Sequence, residues 1–406
     1  MEKLRIALIG QGSRGYNLFC SFYVKQKDID ILYSCDIYAD RAERTANRVK
    51  EEMGYDCKAV TDYREVLSDD RVQAVLIYTS WETHISIAID AMKAGKITAM
   101  EVGGAYTIKE CWDLVKTYEQ TQTPFMFMEN CCYDRCELLA LKMAREGLFG
   151  KIVHCNGAYA HDLREEVTHG KENRHYRLKN YLNRNGENYP THELGPIAKV
   201  MDINRGNRMV SLVSVASGAF GLEQYVNDNK DTINPELIGK RWAQGDIVDT
   251  VIKCADGSTI RLKLDTTLPG FYNRDFTVRG TKGAYYQAFD CAFMDGDEEH
   301  GIIPADFIEK NLHSAKRFEH LLPSVWRDMT EEDKESGHGG MDGIMLRQFI
   351  DRCRSGEPFA LDVYDAASWM AITVLSEQSI SLGSAPVSIP DFTDGQWMHR
   401  ERLDVM

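Results

Sequence analysis

A glycine-rich segment between an apolar run and a helical pattern constrains the fold of this chain more than any other feature. The apolar run covers residues 4–9, and the sequence GQGSRG follows it at residues 10–15. In such a segment Gly10 permits a tight turn, Gly12 lets the backbone approach a pyrophosphate, and Gly15 lets the helix pack on the strand. The pattern therefore predicts a strand, a turn and a helix that bind a dinucleotide.

Apolar runs alternate with helical patterns through the first third of the chain. The predicted strands cover residues 4–9, 29–36, 72–78, 97–101 and 125–129, and the predicted helices cover residues 15–25, 40–52, 81–94 and 108–121. This order is typical of a parallel sheet with helices on its faces. We therefore expect an N-terminal Rossmann domain of the α/β class, built on a doubly wound parallel sheet, over residues 1–130.

From residue 150 onward the pattern changes to β-branched and aromatic runs separated by turn-forming residues. Strands are predicted at residues 151–159, 210–217, 249–255, 259–266 and 276–280, helices at 191–202, 341–355 and 362–381, and loop with short helix at 295–334. Asp256-Gly257 between two of these runs is a strong hairpin signal. The pattern favours a substrate-binding α+β domain over residues 131–406, with a large open mixed or antiparallel sheet. Its C-terminal helices could pack back on the first domain.

Charge and hydropathy exclude several classes of partner. The 406 residues carry a formal net charge of −14, which opposes electrostatic binding to nucleic acid or anionic lipid. No apolar run reaches the roughly 20 residues of a membrane span, and residues 1–10 enter a strand directly instead of a signal segment. We expect no nucleic acid and no membrane as partners, and a cytoplasmic location.

Asp36 at the end of the second predicted strand selects between dinucleotides. It lies 21 residues beyond Gly15, where a carboxylate accepts hydrogen bonds from the adenosine ribose hydroxyls. Its charge would repel the additional phosphate of NADP. NAD is therefore the expected cofactor, although Arg41 or Arg44 could supply a cation for NADP.

Two further segments, at residues 79–84 and 99–104, follow the next predicted strands. Doubly wound sheets bind ligands at this edge, which makes Trp81, His84, Glu101 and Val102 candidates for cofactor binding. A histidine at such a position is often only a helix-start residue. Its place at the sheet edge favours a ligand contact.

Seven additional motifs follow in order. They are ENCCY at residues 129–133, GAYAHDLR at 157–164, YRLK at 176–179, NG at 185–186, YPTHELGP at 189–196, MDINRG at 201–206 and GHGGMD at 337–342. Over essentially its whole length the chain resembles the Gfo/Idh/MocA oxidoreductase family. In these seven motifs it is similar to glycoside hydrolase family 109, the NAD-dependent α-N-acetylgalactosaminidases.

The resemblance implies a reaction in which NAD is not consumed. Hydride transfer oxidises the hydroxyl at carbon 3 of a sugar, and the new ketone acidifies the proton on carbon 2. The glycosidic group leaves by elimination, water adds across the double bond, and the hydride returns to carbon 3, with net retention. The pair of flanking carboxylates that ordinary glycosidases use is not required.

The resemblance also assigns site residues by motif position. The implied cofactor contacts are Ser13, Arg14, Asp36, the segment from Trp81 through His84, Glu101, Val102 and Asn130, and the implied substrate-binding residues are Tyr159, Arg177, Tyr189, His192 and Tyr272. The nicotinamide is expected between the two domains, facing the sugar.

The reaction needs two bases. A histidine titrates in the range that suits deprotonation of the carbon-3 hydroxyl, which favours His192. Tyr159 is the candidate base for the carbon-2 proton if a cation such as Arg177 acidifies its phenol. Glu129 either orients His192 or touches the sugar, and strand-end structure is the alternative for it. A tyrosine on a strand is ordinarily a packing residue, and a histidine that opens a helix is often a surface group.

Two departures from the family pattern bear on the substrate. Val102-Gly103 replaces the Lys-Pro pair that usually follows the strand-end glutamate in sugar dehydrogenases, which favours hydrolysis over net oxidation. Many relatives begin with an export signal that this chain lacks, so a small imported glycoside is expected.

Other readings of the sequence stay open. A net sugar dehydrogenase is the nearest alternative, and a non-catalytic sensor that binds NAD and a sugar is a second. A metal enzyme is disfavoured, because His154, His161, His169 and His175 lack the i, i+4 spacing of a helical zinc site; no metal is expected. An open sheet often pairs face to face, so the family leads us to expect a homodimer or homotetramer.

Overall fold

The computed structural model describes residues 2–297 and 304–406. Contacts between Cα atoms divide the chain into two compact units. The first unit contains the chain up to Asp134 together with Ser324–Ala367 and Leu403–Met406, and the second contains Arg135–Pro323 and Ser368–Arg402.

Strands and helices are both numerous in the described residues. The strands are β1 (Leu4–Ile9), β2 (Ile29–Cys35), β3 (Lys58–Val60), β4 (Ala74–Ile77), β5 (Ile97–Met100), β6 (Phe125–Phe127), β7 (Ile152–Ala160), β8 (Met209–Ala216), β9 (Ile247–Cys254), β10 (Thr259–Asp265), β11 (Thr277–Gly280), β12 (Gly283–Tyr286), β13 (Cys291–Met294) and β14 (Val387–Ser388). The helices are α1 (Ser13–Ser21), α2 (Ala39–Met53), α3 (Tyr63–Leu67), α4 (Trp81–Lys93), α5 (Ile108–Thr121), α6 (Arg135–Arg145), α7 (Arg164–Thr168), α8 (Arg177–Asn183), α9 (Thr191–Val200), α10 (Gly221–Asp228), α11 (Pro304–Asn311), α12 (Ser324–Arg327), α13 (Glu331–Lys334), α14 (Met341–Ser355) and α15 (Val363–Ser381).

The first unit is built on a six-stranded sheet in the order β3-β2-β1-β4-β5-β6. Every pairing in this sheet is parallel. The central strands β1 and β4 are apolar and almost entirely buried, as expected when helices cover both faces of a parallel sheet. The predicted doubly wound Rossmann sheet is confirmed.

The second unit contains an eight-stranded sheet in the order β13-β12-β11-β7-β10-β9-β8-β14. Only β7 and β10 pair in parallel, and the other pairings are antiparallel, so the predicted mixed sheet is confirmed. Strands β9 and β10 form the predicted hairpin around Asp256-Gly257, where Gly257 has φ +90°.

Some element boundaries differ from the prediction. Helix α1 begins at Ser13 instead of residue 15, because Gly12 is its N-cap and the helix starts inside the glycine-rich segment. The short elements β3 and α3 were not predicted, since three residues of strand carry too little alternation to be recognised. Of the predicted loop and short helix at 295–334, residues 298–303 lie outside the described residues. No helix in the described ranges has the length and apolar character to cross a membrane.

Candidate functional site

The glycine-rich turn between β1 and α1 forms the core of the predicted dinucleotide site. Gly10 has φ +94°, and a Cβ atom there would lie 2.6 Å from the backbone of Tyr78 and Thr79. A Cβ at Gly15 would overlap the carbonyl oxygen of Gly10. Within the described residues no side chain caps α1 at Gly12, so the amides of its first turn can receive an anionic group. These features fit a bound pyrophosphate.

Asp36 is held in one orientation beside this turn. Its side chain is buried, and it accepts hydrogen bonds from the backbone amides of Gln11 (2.7 Å) and Tyr38 (2.9 Å). A carboxylate oxygen has two lone-pair sites, so each oxygen can accept a further bond from a ribose hydroxyl. Arg44 donates to the carbonyl oxygen of Gln11 at 3.0 Å and lies over the Tyr16 ring.

The ends of β4 and β5 bring Trp81, His84 and Gly103 into the same unit. A Cβ atom on Gly103 would overlap the indole of Trp81, so position 103 has no room for a side chain while Trp81 lies there. His84 is buried and its Nε2 lies 2.5 Å from the carbonyl oxygen of Thr79; burial lowers its pKa. A neutral imidazole donating to Thr79 braces the start of α4, and the predicted cofactor contact of His84 stays a prediction.

Five residues predicted or quoted in motifs meet around an ion pair between Arg14, whose side chain is 30% exposed, and the buried Asp342. Arg14 donates to Glu101 Oε1 at 2.8 Å and to both carboxylate oxygens of Asp342 at 2.7 and 2.8 Å. Asn130 Nδ2 donates to Asp342 Oδ1 at 2.8 Å, and His338 Nδ1 lies 2.6 Å from Asp342 Oδ2. A carboxylate only accepts and a guanidinium only donates, so the Nδ1 proton of His338 belongs in the bond to Asp342.

The charges of this network stabilise each other. Burial disfavours the charged form of Arg14, but Glu101 and Asp342 raise its pKa well above the ordinary value. Burial likewise disfavours ionised Asp342, yet the Arg14 guanidinium holds the pKa of that carboxyl well below its usual range. Glu101 also accepts from the backbone amide of Val102 at 3.0 Å. Arg14 and Asp342 therefore both remain ionised at neutral pH.

Glu129 lies in the first unit and is fully buried. Its Oε1 accepts a hydrogen bond from the backbone amide of Cys131 at 3.0 Å, which caps the short 3₁₀ helix Asn130–Tyr133. This contact gives Glu129 a structural role. Its predicted catalytic role stays a prediction.

Aromatic side chains from separate motifs meet in the second unit. The ring centroids of Tyr159 and Tyr189 are 4.7 Å apart, and those of Tyr189 and His192 are also 4.7 Å apart. The Tyr189 hydroxyl lies 3.2 Å from His192 Nε2. Tyr272 contacts Tyr159 with centroids 6.5 Å apart and His161 with centroids 5.1 Å apart. We call Tyr159, His161, Tyr189, His192 and Tyr272 the aromatic cluster.

Three chain segments position these side chains. Tyr159 is the last residue but one of strand β7, while Tyr189 and His192 flank the start of helix α9. Tyr272 follows β10, which pairs in parallel with β7, so both strands end at the same edge of the sheet. Tyr272 is 47% exposed, whereas Tyr159 is 4% exposed. The cluster is thus open on the Tyr272 side.

Arg177 supplies the positive charge of this site. It is buried, its Nε lies 2.7 Å from Glu166 Oε1, and its guanidinium lies 5.0 Å from the centroid of the Tyr189 ring. Burial raises the pKa of Tyr159, and the opposing effect of Arg177 is smaller. Arg177 does lower the pKa of Tyr159, but desolvation outweighs the nearby cation in the chain as described. The assignment of Tyr159 as the base for the carbon-2 proton stays a prediction.

His161 was quoted in a motif but was not predicted as a site residue. Its Nδ1 lies 3.2 Å from the Tyr159 hydroxyl. Burial and the charge of Arg177 lower its pKa, so its imidazole is neutral at pH 7 and can accept the Tyr159 proton in a hydrogen bond. Its spacing of two residues from Tyr159 on a strand end was the signal that could have identified it.

Two buried carboxyl groups flank the Tyr189–His192 segment in the sequence. Glu187 and Glu193 are 0% and 1% exposed. Burial raises the pKa of Glu187 to about 8, and a hydrogen bond with Glu193 opposes this shift. A proton held on Glu187 at neutral pH keeps two adjacent carboxyl groups from repelling each other. This pair was not predicted from the sequence.

Comparisons with known proteins identify the families that the two parts of the chain match. The NAD-binding Rossmann fold of the oxidoreductase family matches residues 4–128, and the C-terminal domain of glycosyl hydrolase 109 matches residues 133–399. An α-N-acetylgalactosaminidase of Tannerella forsythia is 37% identical, over 98% of this chain and 88% of that protein. A glycosyl hydrolase family 109 protein of Parabacteroides distasonis is 36% identical, over 98% of this chain and 89% of that protein.

Solved structures share the fold at lower identity. Levoglucosan dehydrogenase in complex with NADH and L-sorbose has a TM-score of 0.70 and 19% identity, over 96% of this chain and all (100%) of that chain. Myo-inositol 2-dehydrogenase from Lactobacillus plantarum has a TM-score of 0.66 and 15% identity, over 96% and 100% of the two chains. At these identities the similarity concerns the fold alone.

Proposed function

Since this chain belongs to glycosyl hydrolase family 109 and is an NAD-dependent glycoside hydrolase, we propose that its substrate is a small α-N-acetylgalactosaminide. The observation that carries the proposal is the meeting of Tyr159, Tyr189 and His192, which come from separate motifs. Their rings and polar edges suit the apolar faces and hydroxyl groups of a sugar. The name of the Tannerella forsythia relative supports the choice of sugar.

NAD, when bound, supplies a reversible hydride acceptor for carbon 3 of the sugar. In the proposed cycle His192 takes the proton of the carbon-3 hydroxyl, and the Tyr189 hydroxyl, 3.2 Å from His192 Nε2, orients its ring. Arg177 and Tyr272 bind the sugar. Packing within the aromatic cluster holds His192 and Tyr159 in place before the substrate binds. This lowers the entropic cost of reaching the transition state.

We assign removal of the carbon-2 proton to Tyr159. The proton leaves carbon 2 as the bond from carbon 1 to the glycosidic oxygen breaks, and the released oxygen takes up a proton from the solvent. When water adds, its hydroxyl bonds to carbon 1, and carbon 2 receives a proton that has exchanged with the solvent. Because burial raises the pKa of Tyr159, the phenol is neutral at rest and must lose its proton before it acts as a base. The assignment therefore predicts activity that rises with pH.

The test uses chromogenic glycosides in deuterated water. Purified protein is incubated with α- and β-linked GalNAc, GlcNAc, Gal and Glc, and the products are examined by mass spectrometry and NMR. We expect fastest release from α-GalNAc and one deuterium at carbon 2 of the product. Hydrolysis without deuterium at carbon 2 would exclude elimination, and steady accumulation of NADH with a free sugar would identify a net dehydrogenase instead.

We also propose that the chain forms a homodimer or homotetramer through the open face of its eight-stranded sheet. Val215 on β8 and Val251 on β9 are 55% and 48% exposed, and the pairing of Val251 with Val213 puts both on one face. Exposed apolar groups on a sheet favour burial against a second surface. Light scattering after size exclusion tests this: Val251→Lys should lower the measured mass, and a wild-type monomer would refute the proposal.

A cytoplasmic location is proposed on the basis of the thiols. The eleven cysteines form no disulfide, as is usual in reducing compartments. Fractionation of cells that express the full-length protein tests this proposal. Recovery outside the cytoplasm would contradict it.

A further inference from the structure

The geometry points to Asp342 as the residue that positions the dinucleotide site. Asp342 orients Arg14 and Asn130, two predicted cofactor contacts, and joins them to His338. The inference rests on NAD binding alone, so it can fail or hold independently of the proposed glycosidase reaction. All of its residues lie in the first unit.

Asp342 is saturated by these contacts. Oδ1 accepts from Asn130 Nδ2 and Arg14 Nη2, both at 2.8 Å, while Oδ2 accepts from Arg14 Nη1 at 2.7 Å and His338 Nδ1 at 2.6 Å. The carboxylate is 0% exposed. Four bonds fill the lone-pair sites of a carboxylate, which leaves Asp342 no capacity for a ligand. It therefore acts through its neighbours.

The backbone delivers Asp342 to this position. It is the second residue of α14, whose N-cap Gly340 has φ +105°. A Cβ atom on Gly337, which has φ +107°, would lie 2.5 Å from Asp342 Oδ2. The glycine at 337 thus leaves room for the carboxylate, and the first turn of a helix favours its negative charge.

The network also changes the expected role of Arg14. Its one positive charge faces two carboxylates, at 2.8 Å from Glu101 and 2.7 Å from Asp342. Arg14 is therefore neutralised by protein groups and is not a spare cation for the pyrophosphate. The amides at the start of α1 meet the phosphates instead, and Arg14, fixed by Asp342, shapes the turn from Gly12 onward.

The test measures NAD affinity by isothermal titration of full-length protein. Asp342→Asn keeps the size of the side chain but removes its charge and two acceptor sites. We expect NAD binding to weaken by roughly ten- to hundredfold, the loss typical of hydrogen bonds to charged groups. Asp246→Asn is the matched control, because Asp246 is a buried carboxylate in the second unit that accepts from the amides of Phe220 and Gly221; its NAD affinity should stay within about twofold.

A double variant separates positioning from general stabilisation. If Asp342 acts through Arg14, then Arg14→Lys with Asp342→Asn should bind NAD no more weakly than the poorer single variant. Should Asp342→Asn fail to fold, Arg14→Lys alone is expected to weaken NAD binding by about threefold or more, because an ammonium cannot make the bidentate contact. Unchanged affinity in either folded variant would reduce the network to a structural element. Tighter NAD binding in Asp342→Asn would show that Asp342 competes with the dinucleotide for Arg14, and would overturn the inference.

Discussion

The two units of this protein build their sites from different interactions. In the first unit, buried carboxylates are fixed by named donors: Asp36 by two backbone amides and Asp342 by a guanidinium, an amide and an imidazole. In the second unit, rings pack on rings around Arg177. The first arrangement suits a site that holds a cofactor in one position. The second arrangement offers ring surfaces that suit a sugar, together with phenol and imidazole groups that can exchange protons.

This difference separates the effects that substitutions should have. Changes in the first unit are expected to alter NAD affinity, while changes in the aromatic cluster should alter turnover and sugar affinity with NAD bound normally. Each prediction below states which of these quantities should change. A substitution that moves the wrong quantity would break the comparison.

Gly15→Ala should have the largest effect. Its Cβ would overlap the carbonyl oxygen of Gly10. Because this oxygen belongs to the backbone and cannot rotate away like a side chain, the glycine-rich turn must change conformation. We expect NAD binding to weaken at least about hundredfold, as measured by calorimetric titration at a temperature where circular dichroism shows folded protein. Gly270→Ala is the control, since its Cβ meets nothing within 4 Å. Normal NAD affinity in Gly15→Ala would mean that the turn is not the cofactor site.

Tyr159→Phe should have the next largest effect, and on the other quantity. Removal of a general base slows a reaction by about 10²- to 10⁴-fold, so kcat should fall in this range while NAD affinity stays within about twofold. The measurement combines steady-state hydrolysis with exchange of the carbon-2 proton. Exchange that persists at the wild-type rate would remove Tyr159 as the base.

The pH dependence sharpens the same assignment. A phenol with an ordinary pKa near 10 is ionised in roughly one molecule in a thousand at pH 7, and burial raises the pKa of Tyr159 further. A base must be ionised, so kcat should rise about tenfold per pH unit from pH 7 to 9 when carbon-2 deprotonation limits the rate. A flat profile with a full primary isotope effect at carbon 2 would contradict this.

Asp36→Asn should have a moderate effect on the cofactor alone. The amide removes the charge that repels a 2′-phosphate and one acceptor for a ribose hydroxyl. We expect NAD binding to weaken by about tenfold, and the preference for NAD over NADP to fall by at least that factor. Titration with both dinucleotides measures the two values. An unchanged preference would show that Asp36 does not face the ribose.

Tyr272→Leu should have the smallest effect. Tyr272 is 47% exposed, and its ring is nearly perpendicular to the rings of His161 and Tyr159 that it contacts. Loss of such ring contacts costs on the order of 1 kcal/mol, so KM for the glycoside should rise by about three- to tenfold with kcat nearly constant. Phe289→Leu serves as the control, because Phe289 is also an exposed aromatic residue, with 40% of its surface accessible. A large fall in kcat would place Tyr272 in the chemistry instead.

The sequence predicted much of the cofactor unit because its signals are local. The glycine spacing, the carboxylate at residue 36 and the alternation of strands and helices depend on neighbours in the chain, and they identified the sheet and the turn. Asp342 was beyond such reasoning, since its partners Arg14 and Asn130 lie 328 and 212 residues away. Only the fold brings the start of α14 to them.

The aromatic cluster was predicted from motif resemblance and not from local chemistry. Tyr159, Tyr189, His192 and Tyr272 do meet in the structure, but the protonation state of Tyr159 could not be read from the sequence. It depends on how far burial outweighs the charge of Arg177, and burial is a property of the packed unit. His161 was missed although its two-residue spacing from Tyr159 was visible in the sequence.

The most direct test of the account follows the hydrogen on carbon 3. A glycoside labelled with deuterium at carbon 3 is hydrolysed in ordinary water by protein that retains its NAD, and the released sugar is analysed by NMR. If the abstracted hydride returns to the same sugar, the product keeps its deuterium at carbon 3 and no reduced cofactor accumulates. Deuterium lost from carbon 3 to the solvent or to free NADH, or full activity in protein freed of NAD, would contradict the account.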